Sequence, residues 1–128
     1  MKPIIKLISL TSKIDKRGKL YEVTRAIPSF KHMFVATINP GFSRGNHFHK
    51  RKTEWILAMD GKVEVVLIDA LTKEESRVIL DARNSQMLEI APNLLVRVFN
   101  PTPMKATILA IFDEVFDPSD PDVWNLTF

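Results

Sequence analysis

The sequence predicts an all-β barrel, and three observations carry that prediction. Short runs rich in Val, Ile, Leu and Phe recur at intervals of about 8 to 12 residues, which is the spacing of strands in sandwiches and barrels. Turn-forming pairs such as Pro40-Gly41 and Asp60-Gly61 separate these runs. Helical periodicity is almost absent, so roughly nine or ten strands are expected.

The first strands are predicted before residue 40 and are bounded by turn residues. Residues 4–10 and 20–25 are expected to form strands on either side of a turn at 15–18. A third strand is expected at 33–38, where it ends before a proline.

Asp60-Gly61 is the strongest local turn signal in the chain. An Asp-Gly pair between apolar runs is typical of a two-residue hairpin, which here would join strands at 54–59 and 62–68. Prolines within 117–122 lack the N–H donor that a central strand needs, so the barrel is expected to end near Phe116. The remaining strands are predicted at 76–80, 87–90, 95–99 and 106–115.

The composition is that of a folded protein. With 128 residues, of which 45% are hydrophobic and 26% charged, the chain is expected to form a single domain over residues 1–128. The absence of cysteine excludes disulfides and zinc fingers and leaves nitrogen and oxygen as metal ligands. No apolar run reaches the roughly 20 residues that cross a bilayer, so no membrane partner is expected. Lys6 interrupts the first apolar run and no small-residue cleavage site follows it, which predicts a cytoplasmic protein.

The charge balance gives little support to a nucleic-acid partner. Lys and Arg number 18 against 15 for Asp and Glu, a mild excess that suits an anionic small molecule. Basic residues gather only at Arg44 and at 50–52, and no aromatic stacking platform is interleaved with them. We therefore expect no nucleic-acid binding. The simpler interpretation of residues 50–52 is a basic turn that is exposed to solvent and binds no ligand.

The functional prediction depends on residues 41–61. They have the pattern G-x5-H-x-H-x4-E-x6-G, with the histidines at His47 and His49 and the glutamate at Glu54. Side chains two apart on an extended segment leave the same face, so both imidazoles are expected to enter the barrel interior, where Glu54 can join them. Two imidazoles and a carboxylate are a facial set that holds one divalent ion of zinc, iron, manganese or nickel.

This pattern matches the first cupin motif throughout, so the chain resembles a single cupin domain, which is a jelly-roll or double-stranded β-helix barrel. The second cupin motif has the form P-x-G-x2-H-x3-N, and here Arg97 follows Pro92 at the histidine position. Arginine cannot ligate a metal, but it can grip a carbonyl, a carboxylate or a phosphate. Arg97 is therefore predicted to point inward and bind substrate.

Two further segments resemble the sugar-nucleotide cupins. Residues 44–50 read Arg-Gly-Asn-His-Phe-His-Lys and resemble their R-G-x-H-x-H segment, and residues 112–120 resemble their aromatic and Asp-rich ending. One similar branch is the dTDP-sugar 3,4-ketoisomerases, which work without metal and use the paired histidines as acid and base. The other is the metal-binding C-terminal cupin domain of capsular-polysaccharide reductase/epimerases. Glu54 fits the second branch, whereas the missing second-motif histidine fits the first.

The resemblance implies a nucleotide-sugar isomerase or epimerase that acts on a 4-keto sugar in surface-polysaccharide biosynthesis. His47 and His49 would be acid and base at a carbon next to the carbonyl. Arg44 or Arg97 would stabilise the developing oxyanion, and Lys50 and Arg51 would bind the diphosphate at the rim. The resemblance also implies a homodimer.

Two other functions fit the same residues. In a metal-dependent cupin of other small-molecule chemistry, His47, His49 and Glu54 would be ligands rather than acid and base. In a non-catalytic sugar-binding cupin, the pocket would remain without a complete catalytic set. The third histidine, His32, belongs to no motif and is predicted to lie on a strand surface.

Overall fold

The structure is a computed structural model that describes residues 1–125. Within that range the chain forms strands, two short 3₁₀ helices (Thr24–Ala26 and Ala82–Asn84) and no α-helix, which confirms the all-β prediction. None of the helices in this range is long and apolar enough to cross a membrane. The strands are β1 (Lys6–Ser9), β2 (Ser12–Asp15), β3 (Gly18–Tyr21), β4 (His32–Ile38), β5 (Ser43–Phe48), β6 (Glu54–Asp60), β7 (Lys62–Asp69), β8 (Glu75–Asp81), β9 (Gln86–Ile90), β10 (Leu94–Phe99), β11 (Ala106–Phe112) and β12 (Trp124–Asn125).

The strands form two antiparallel sheets of five strands each. The first sheet has the order β1-β9-β6-β11-β4 and the second the order β12-β5-β10-β7-β8, while β2 and β3 form a separate hairpin. Apolar side chains of β6 and β11 in the first sheet pack against those of β7 and β10 in the second, and they form one core between the sheets. This arrangement confirms the predicted jelly-roll fold of the cupin type.

β7 is buried on both faces and anchors the second sheet. Val63, Val65 and Leu67 face the core between the sheets, whereas Val66 and Ile68 belong to a small cluster on the other face. Burying such a side chain contributes about 1.5–3 kcal/mol, so this strand contributes much to the stability of the barrel. A continuous apolar run such as the end of β7 is typical of a strand that is covered on both faces.

The turn at Asp60-Gly61 joins the two sheets and does not close a paired hairpin. β6 is hydrogen-bonded to β9 and β11, whereas β7 is hydrogen-bonded to β8 and β10. The hairpin prediction is wrong in this respect, because other strands occupy both edges of β6 and of β7. Gly61 has a φ of +79°, a left-handed conformation that glycine adopts without strain and that turns the chain sharply.

Several boundaries differ from the sequence-based expectation. The strand predicted at 20–25 ends at Tyr21, and the strand predicted at 106–115 ends at Phe112. The barrel does not end near Phe116, because β12 returns and pairs with β5. The prolines exclude a central strand only across 117–122. The chain pairs again in β12, which begins at Trp124.

Candidate active site

His47 and His49 enter the site from one segment. His47 lies in β5 and His49 directly follows that strand. Adjacent residues of β10 pair with Gly45 and His47, so Asn46 is the extra residue of a β-bulge. Asn46 has a φ of +67°, which asparagine tolerates better than most residues. The two imidazole rings stand edge to face with their centroids 5.2 Å apart.

Gly45 allows β5 to approach β10 closely beside this bulge. Its φ is +104°, and a Cβ atom added to it would lie 2.5 Å from the carbonyl oxygen of Val96. Only glycine combines that conformation with that contact distance. The placement of the two histidines therefore depends on a glycine two residues before the first of them.

Glu54 completes the cluster from the first position of β6, in the opposite sheet. One ligand atom from each of His47, His49 and Glu54 lies within 4.8 Å of the other two. His49 Nε2 is 3.8 Å from Glu54 Oε1, and neither of these buried atoms has a hydrogen-bond partner among the described residues. Since buried polar atoms are normally hydrogen-bonded, two such atoms side by side indicate a position for a ligand.

Burial sets the charge of this cluster. It lowers the pKa of His47 and of His49, although hydrogen bonds to the backbone at Gly45 and Asp122 oppose the shift. It raises the pKa of Glu54 from 4.5 to about 8. At neutral pH the cluster therefore holds neutral imidazoles, which can accept a proton, beside a protonated carboxyl group, which can donate one.

A cavity of about 640 Å³ opens beside the cluster, between β4 and β5. His47, Glu54 and Arg44 lie on the cavity wall, whereas His49 is not part of it. The Arg44 side chain spans the opening, because its Nε donates to the carbonyl oxygen of Thr37 on β4 at 2.9 Å. The rest of the wall is mostly apolar and consists of Phe34, Val35, Ala36, Thr37, Gly45, Ile56, Val96, Val98, Ile108 and Ala110.

Arg97 does not lie on the cavity wall. Val96 and Val98 of β10 line the cavity, and since side chains alternate along a strand, Arg97 between them lies on the opposite face. The expectation that Arg97 points into the interior is wrong for this cavity, because β10 presents the two valines there. A role of Arg97 in substrate binding stays a prediction, and the geometry does not support it.

Two basic side chains predicted to bind substrate contact the C-terminal segment (residues 113–125). Lys50 Nζ lies 3.8 Å from the ring centroid of Trp124. Arg51 forms ion pairs with Glu114 and Asp120, with N–O distances of 3.4 and 3.2 Å. Neither Lys50 nor Arg51 lies on the cavity wall, so their contact with a diphosphate also stays a prediction.

Phe112 contacts the cluster, although the sequence predicts no role for it at the site and marks it only as the first residue of the segment 112–120. Its ring meets the edge of the His49 ring, with centroids 5.4 Å apart, and packs against His32 at 5.8 Å. His32 is thus half-buried among aromatic rings and not simply exposed on a strand surface. The position of Phe112 depends on the pairing of β11 with both β4 and β6, which the sequence alone does not reveal.

Asp122 is the other site residue that sequence reasoning missed. It is buried, has a φ of +49°, and its backbone carbonyl oxygen lies 2.6 Å from His49 Nδ1. Its carboxylate accepts hydrogen bonds from the backbone N–H groups of residues 50, 51 and 52 and from Trp124 Nε1. Burial by itself would raise the pKa of Asp122, but these donors outweigh it and lower the pKa to about 2.

A comparison with protein families agrees with this geometry. Residues 13–124 match the family described as the polysaccharide biosynthesis C-terminal domain. The chain belongs to this family. The matched range includes the His47, His49 and Glu54 cluster, Arg44 and Asp122, so the candidate site lies within the family domain.

Known proteins similar to this polysaccharide biosynthesis domain include one curated enzyme. The chain is 26% identical over 110 residues to UDP-2-acetamido-2,6-beta-L-arabino-hexul-4-ose reductase from Pseudomonas aeruginosa. The match covers 86% of this chain and 29% of the reductase, so the chain spans less than a third of that relative.

Two solved structures are similar over nearly the whole chain. QdtA, a sugar 3,4-ketoisomerase from Thermoanaerobacterium thermosaccharolyticum in complex with TDP, is 25% identical, with a TM-score of 0.82 over 95% of this chain and 88% of that chain. A 3,4-ketoisomerase from Helicobacter canadensis is 26% identical, with a TM-score of 0.80 over 93% of this chain and 88% of that chain. These proteins confirm the resemblance to sugar-nucleotide cupins and support the prediction of an isomerase.

Proposed function

We propose that this domain is a nucleotide-sugar isomerase or epimerase that acts on a 4-keto sugar in surface-polysaccharide biosynthesis. The observation that carries the proposal is the cavity wall, on which His47, Glu54 and Arg44 lie together. A volume of about 640 Å³ is in the range of small-molecule sites. The family description and the similarity to a ketoisomerase that binds TDP support a nucleotide sugar as the ligand.

The proposed reaction transfers protons at carbons next to a carbonyl group. The neutral imidazole of His47 takes the proton from the neighbouring carbon, while protonated Glu54 donates its proton to the carbonyl oxygen, which yields an enediol. The proton on His47 then goes to the former carbonyl carbon, and the other hydroxyl group returns a proton to Glu54. His49 Nε2, which lies 3.8 Å from Glu54 Oε1, shares this proton with Glu54 once the two atoms approach to hydrogen-bond distance in the substrate complex.

Arg44 supplies the positive charge at the proposed site. Arg44 lies on the cavity wall, where its guanidinium group would stabilise negative charge on the enediolate oxygen or on the diphosphate. The hydrogen bond from its Nε to Thr37 fixes the side chain across the opening. The terminal guanidinium nitrogens can then meet the substrate.

Deuterium exchange from solvent tests the proposed activity. The protein is incubated in heavy water with TDP- or UDP-linked 4-keto-6-deoxy sugars, and deuterium at C3 and C5 is followed by NMR. A base in contact with water exchanges the proton it removes, so wild type is expected to incorporate deuterium. His47→Asn is expected to lower the rate by at least about 100-fold, because general-base catalysis contributes that much or more.

His32→Asn is the matched control, since His32 is a histidine that is not on the cavity wall. It is expected to exchange at nearly the wild-type rate. Binding of these sugars without any exchange would contradict the enzymatic proposal and leave the non-catalytic sugar-binding alternative.

A metal site is the second candidate, and the donor set favours it. His47, His49 and Glu54 offer ligand atoms within 4.8 Å of one another, which fits one divalent ion of zinc, iron, manganese or nickel. The atoms without hydrogen-bond partners, His49 Nε2 and Glu54 Oε1, are two that such an ion would take. When bound, the ion would polarise a carbonyl group as a Lewis acid.

Elemental analysis separates the two candidates. One metal ion per chain, lowered in each of His47→Ala, His49→Ala and Glu54→Ala, is the result expected of a metal site. Equal metal content in wild type and all three variants would exclude it. Chelation should stop deuterium exchange only if the metal takes part.

The homodimer and the cytoplasmic location stay predictions. Among the described residues, β4 pairs only with β11, so it is an edge of its sheet, and Met33, Phe34 and Val35 on it are exposed. An exposed apolar edge strand is a typical place for a second chain to pair. Sedimentation of wild type and Val35→Lys measures whether association uses this edge.

A further inference from the structure

Asp122 is buried within a segment that is mostly exposed. Residues 115–120 are exposed, whereas Asp122 has 3% of its surface exposed. Carboxylate oxygen Oδ1 accepts from the backbone N–H of Lys50 at 2.9 Å and from Trp124 Nε1 at 3.2 Å. Oδ2 accepts from the backbone N–H groups of Arg51 and Lys52 at 3.0 and 3.1 Å. Three successive backbone N–H groups thus converge on one carboxylate, as in an anion-binding nest.

The same residue contacts the active-site cluster through its backbone. The carbonyl oxygen of Asp122 lies 2.6 Å from His49 Nδ1. A carbonyl oxygen can only accept a hydrogen bond, so Nδ1 must carry the proton. The other ring nitrogen of neutral His49, Nε2, then presents its lone pair to Glu54 Oε1, 3.8 Å away. The tautomer of His49 is therefore set by where the carbonyl group of residue 122 lies.

Contacts on both sides hold this carbonyl group in place. Lys52 Nζ donates to the carbonyl oxygen of Pro121 at 3.0 Å. Trp124 pairs with Phe48 as the first residue of β12, on the edge of β5. Since the φ of +49° at Asp122 is unfavourable for most residues, the carboxylate contacts are what compensate for this local strain.

We propose that Asp122 is a positioning residue for His49: its carboxylate, bound to the backbone N–H groups of residues 50–52, fixes its carbonyl group against Nδ1 and so directs the lone pair of Nε2 toward Glu54. The tautomer requires only this geometry. Its consequence for catalysis rests on the proposed function, in which His49 shares a proton with Glu54.

NMR of the histidine side chains reads the tautomer directly. Protein labelled with ¹⁵N at histidine is studied at about pH 8, where both imidazoles are neutral, and His49→Asn assigns the resonances. Wild type is expected to show His49 protonated at Nδ1 and unprotonated at Nε2. Protonation at Nε2 in wild type would overturn the proposal without any variant of Asp122.

Asp122→Asn tests whether the carboxylate fixes the tautomer. Asparagine tolerates a positive φ, but its side chain has one acceptor oxygen and loses about half of the four hydrogen bonds. We expect a mixture of His49 tautomers and a fall in kcat of at least about tenfold with KM nearly unchanged, because a wrong tautomer removes the acceptor. Asp120→Asn is the control, since the Asp120 carboxylate contacts the side chain of Arg51 and not its backbone N–H group, and it should keep the wild-type tautomer.

The outcomes separate the positioning role from the proposed function. A single Nδ1–H tautomer in Asp122→Asn, as in Asp120→Asn, would overturn the positioning role. If Asp122→Asn fails to fold, Trp124→Phe removes one donor to the carboxylate, and it should shift the tautomer ratio in the same direction by less. A tautomer shift in a protein that never exchanges deuterium would contradict the proposed function and leave the positioning role standing.

Discussion

The two ends of β6 bury different kinds of side chain. At the end near Gly61, Ala58 packs in the apolar core with residues such as Val63 and Ala106. At the other end, Glu54 is buried beside His49. Of the three buried side-chain atoms without a hydrogen-bond partner in residues 1–125, two belong to this pair. One end of β6 thus contributes to the apolar core. The other end presents a buried carboxyl oxygen that has no hydrogen-bond partner and is suited to bind a ligand.

Alanine substitution of three glycines is the test with the largest expected effect on stability. Gly45, Gly61 and Gly41 all have positive φ, so alanine at each costs about 1–2 kcal/mol in conformation alone. At Gly45 the added Cβ atom would also lie 2.5 Å from a backbone oxygen, whereas at Gly61 the nearest atom is at 3.2 Å and at Gly41 there is none within 4 Å.

We expect Gly45→Ala to lower the free energy of unfolding by about 1–3 kcal/mol more than Gly41→Ala, with Gly61→Ala between them. The contact at Gly45 requires the largest backbone shift, the backbone contacts at Gly61 require a smaller one, and Gly41 has no such contact. Urea denaturation measures the three free energies of unfolding. Equal losses would mean that β5 moves away from β10 at little cost, and that the histidine end of the barrel is less tightly packed than its geometry indicates.

The pH dependence of stability tests the buried carboxyl group. Burial raises the pKa of Glu54 from 4.5 to about 8, so the folded protein prefers the protonated form. Because the pKa of Glu54 is higher in the folded state, protonation of Glu54 favours folding. This contribution to the free energy of unfolding is fully present below about pH 4.5 and is lost as the pH rises toward 8, by up to about 1.4 kcal/mol per pH unit. Glu54→Gln stays neutral and should keep that stability.

Thermal unfolding of chelator-treated protein checks this difference. Glu54→Gln is expected to unfold at a temperature near that of wild type at about pH 5 and at a clearly higher one at about pH 9. Glu64→Gln is the control, because Glu64 is partly exposed on β7 and pairs with Arg77, so its amide should bring no gain at alkaline pH. A parallel decline of Glu54→Gln and wild type would show that Glu54 is solvated or otherwise paired.

The site could be predicted as far as its residues are close in sequence. His47 and His49 are two apart on an extended segment, and Glu54 begins the next strand, so the motif alone predicts that they meet. The contact between His49 and Asp122 joins residues 73 apart, and only the return of the chain along β5 brings it about.

The same dependence on distant strands explains two wrong predictions, the paired hairpin at Asp60-Gly61 and the inward orientation of Arg97. Asp60-Gly61 has the composition of a hairpin turn, but whether two strands pair depends on which other strands occupy their edges. The cupin motif aligns Arg97 with a metal ligand, but the face on which it lies depends on the register of β10. Local spacing determines neighbours within a segment, whereas pairing and register are properties of the whole barrel.

The smallest expected effect concerns the two arginines predicted to bind the nucleotide sugar. Arg44 lies on the cavity wall at the Glu54 end, whereas Arg97 lies on the other face of β10 from the cavity. A charge-assisted hydrogen bond to a phosphate contributes about 1.5–3 kcal/mol, so Arg44→Ala should weaken binding of TDP by about tenfold or more in titration calorimetry. Arg97→Ala should change the affinity by less than about twofold, since an alternating strand cannot present Arg97 beside Val96 and Val98. A loss for Arg97→Ala as large as that for Arg44→Ala would place the diphosphate on the outer face of the second sheet, and the polar end of β6 would then hold the sugar alone.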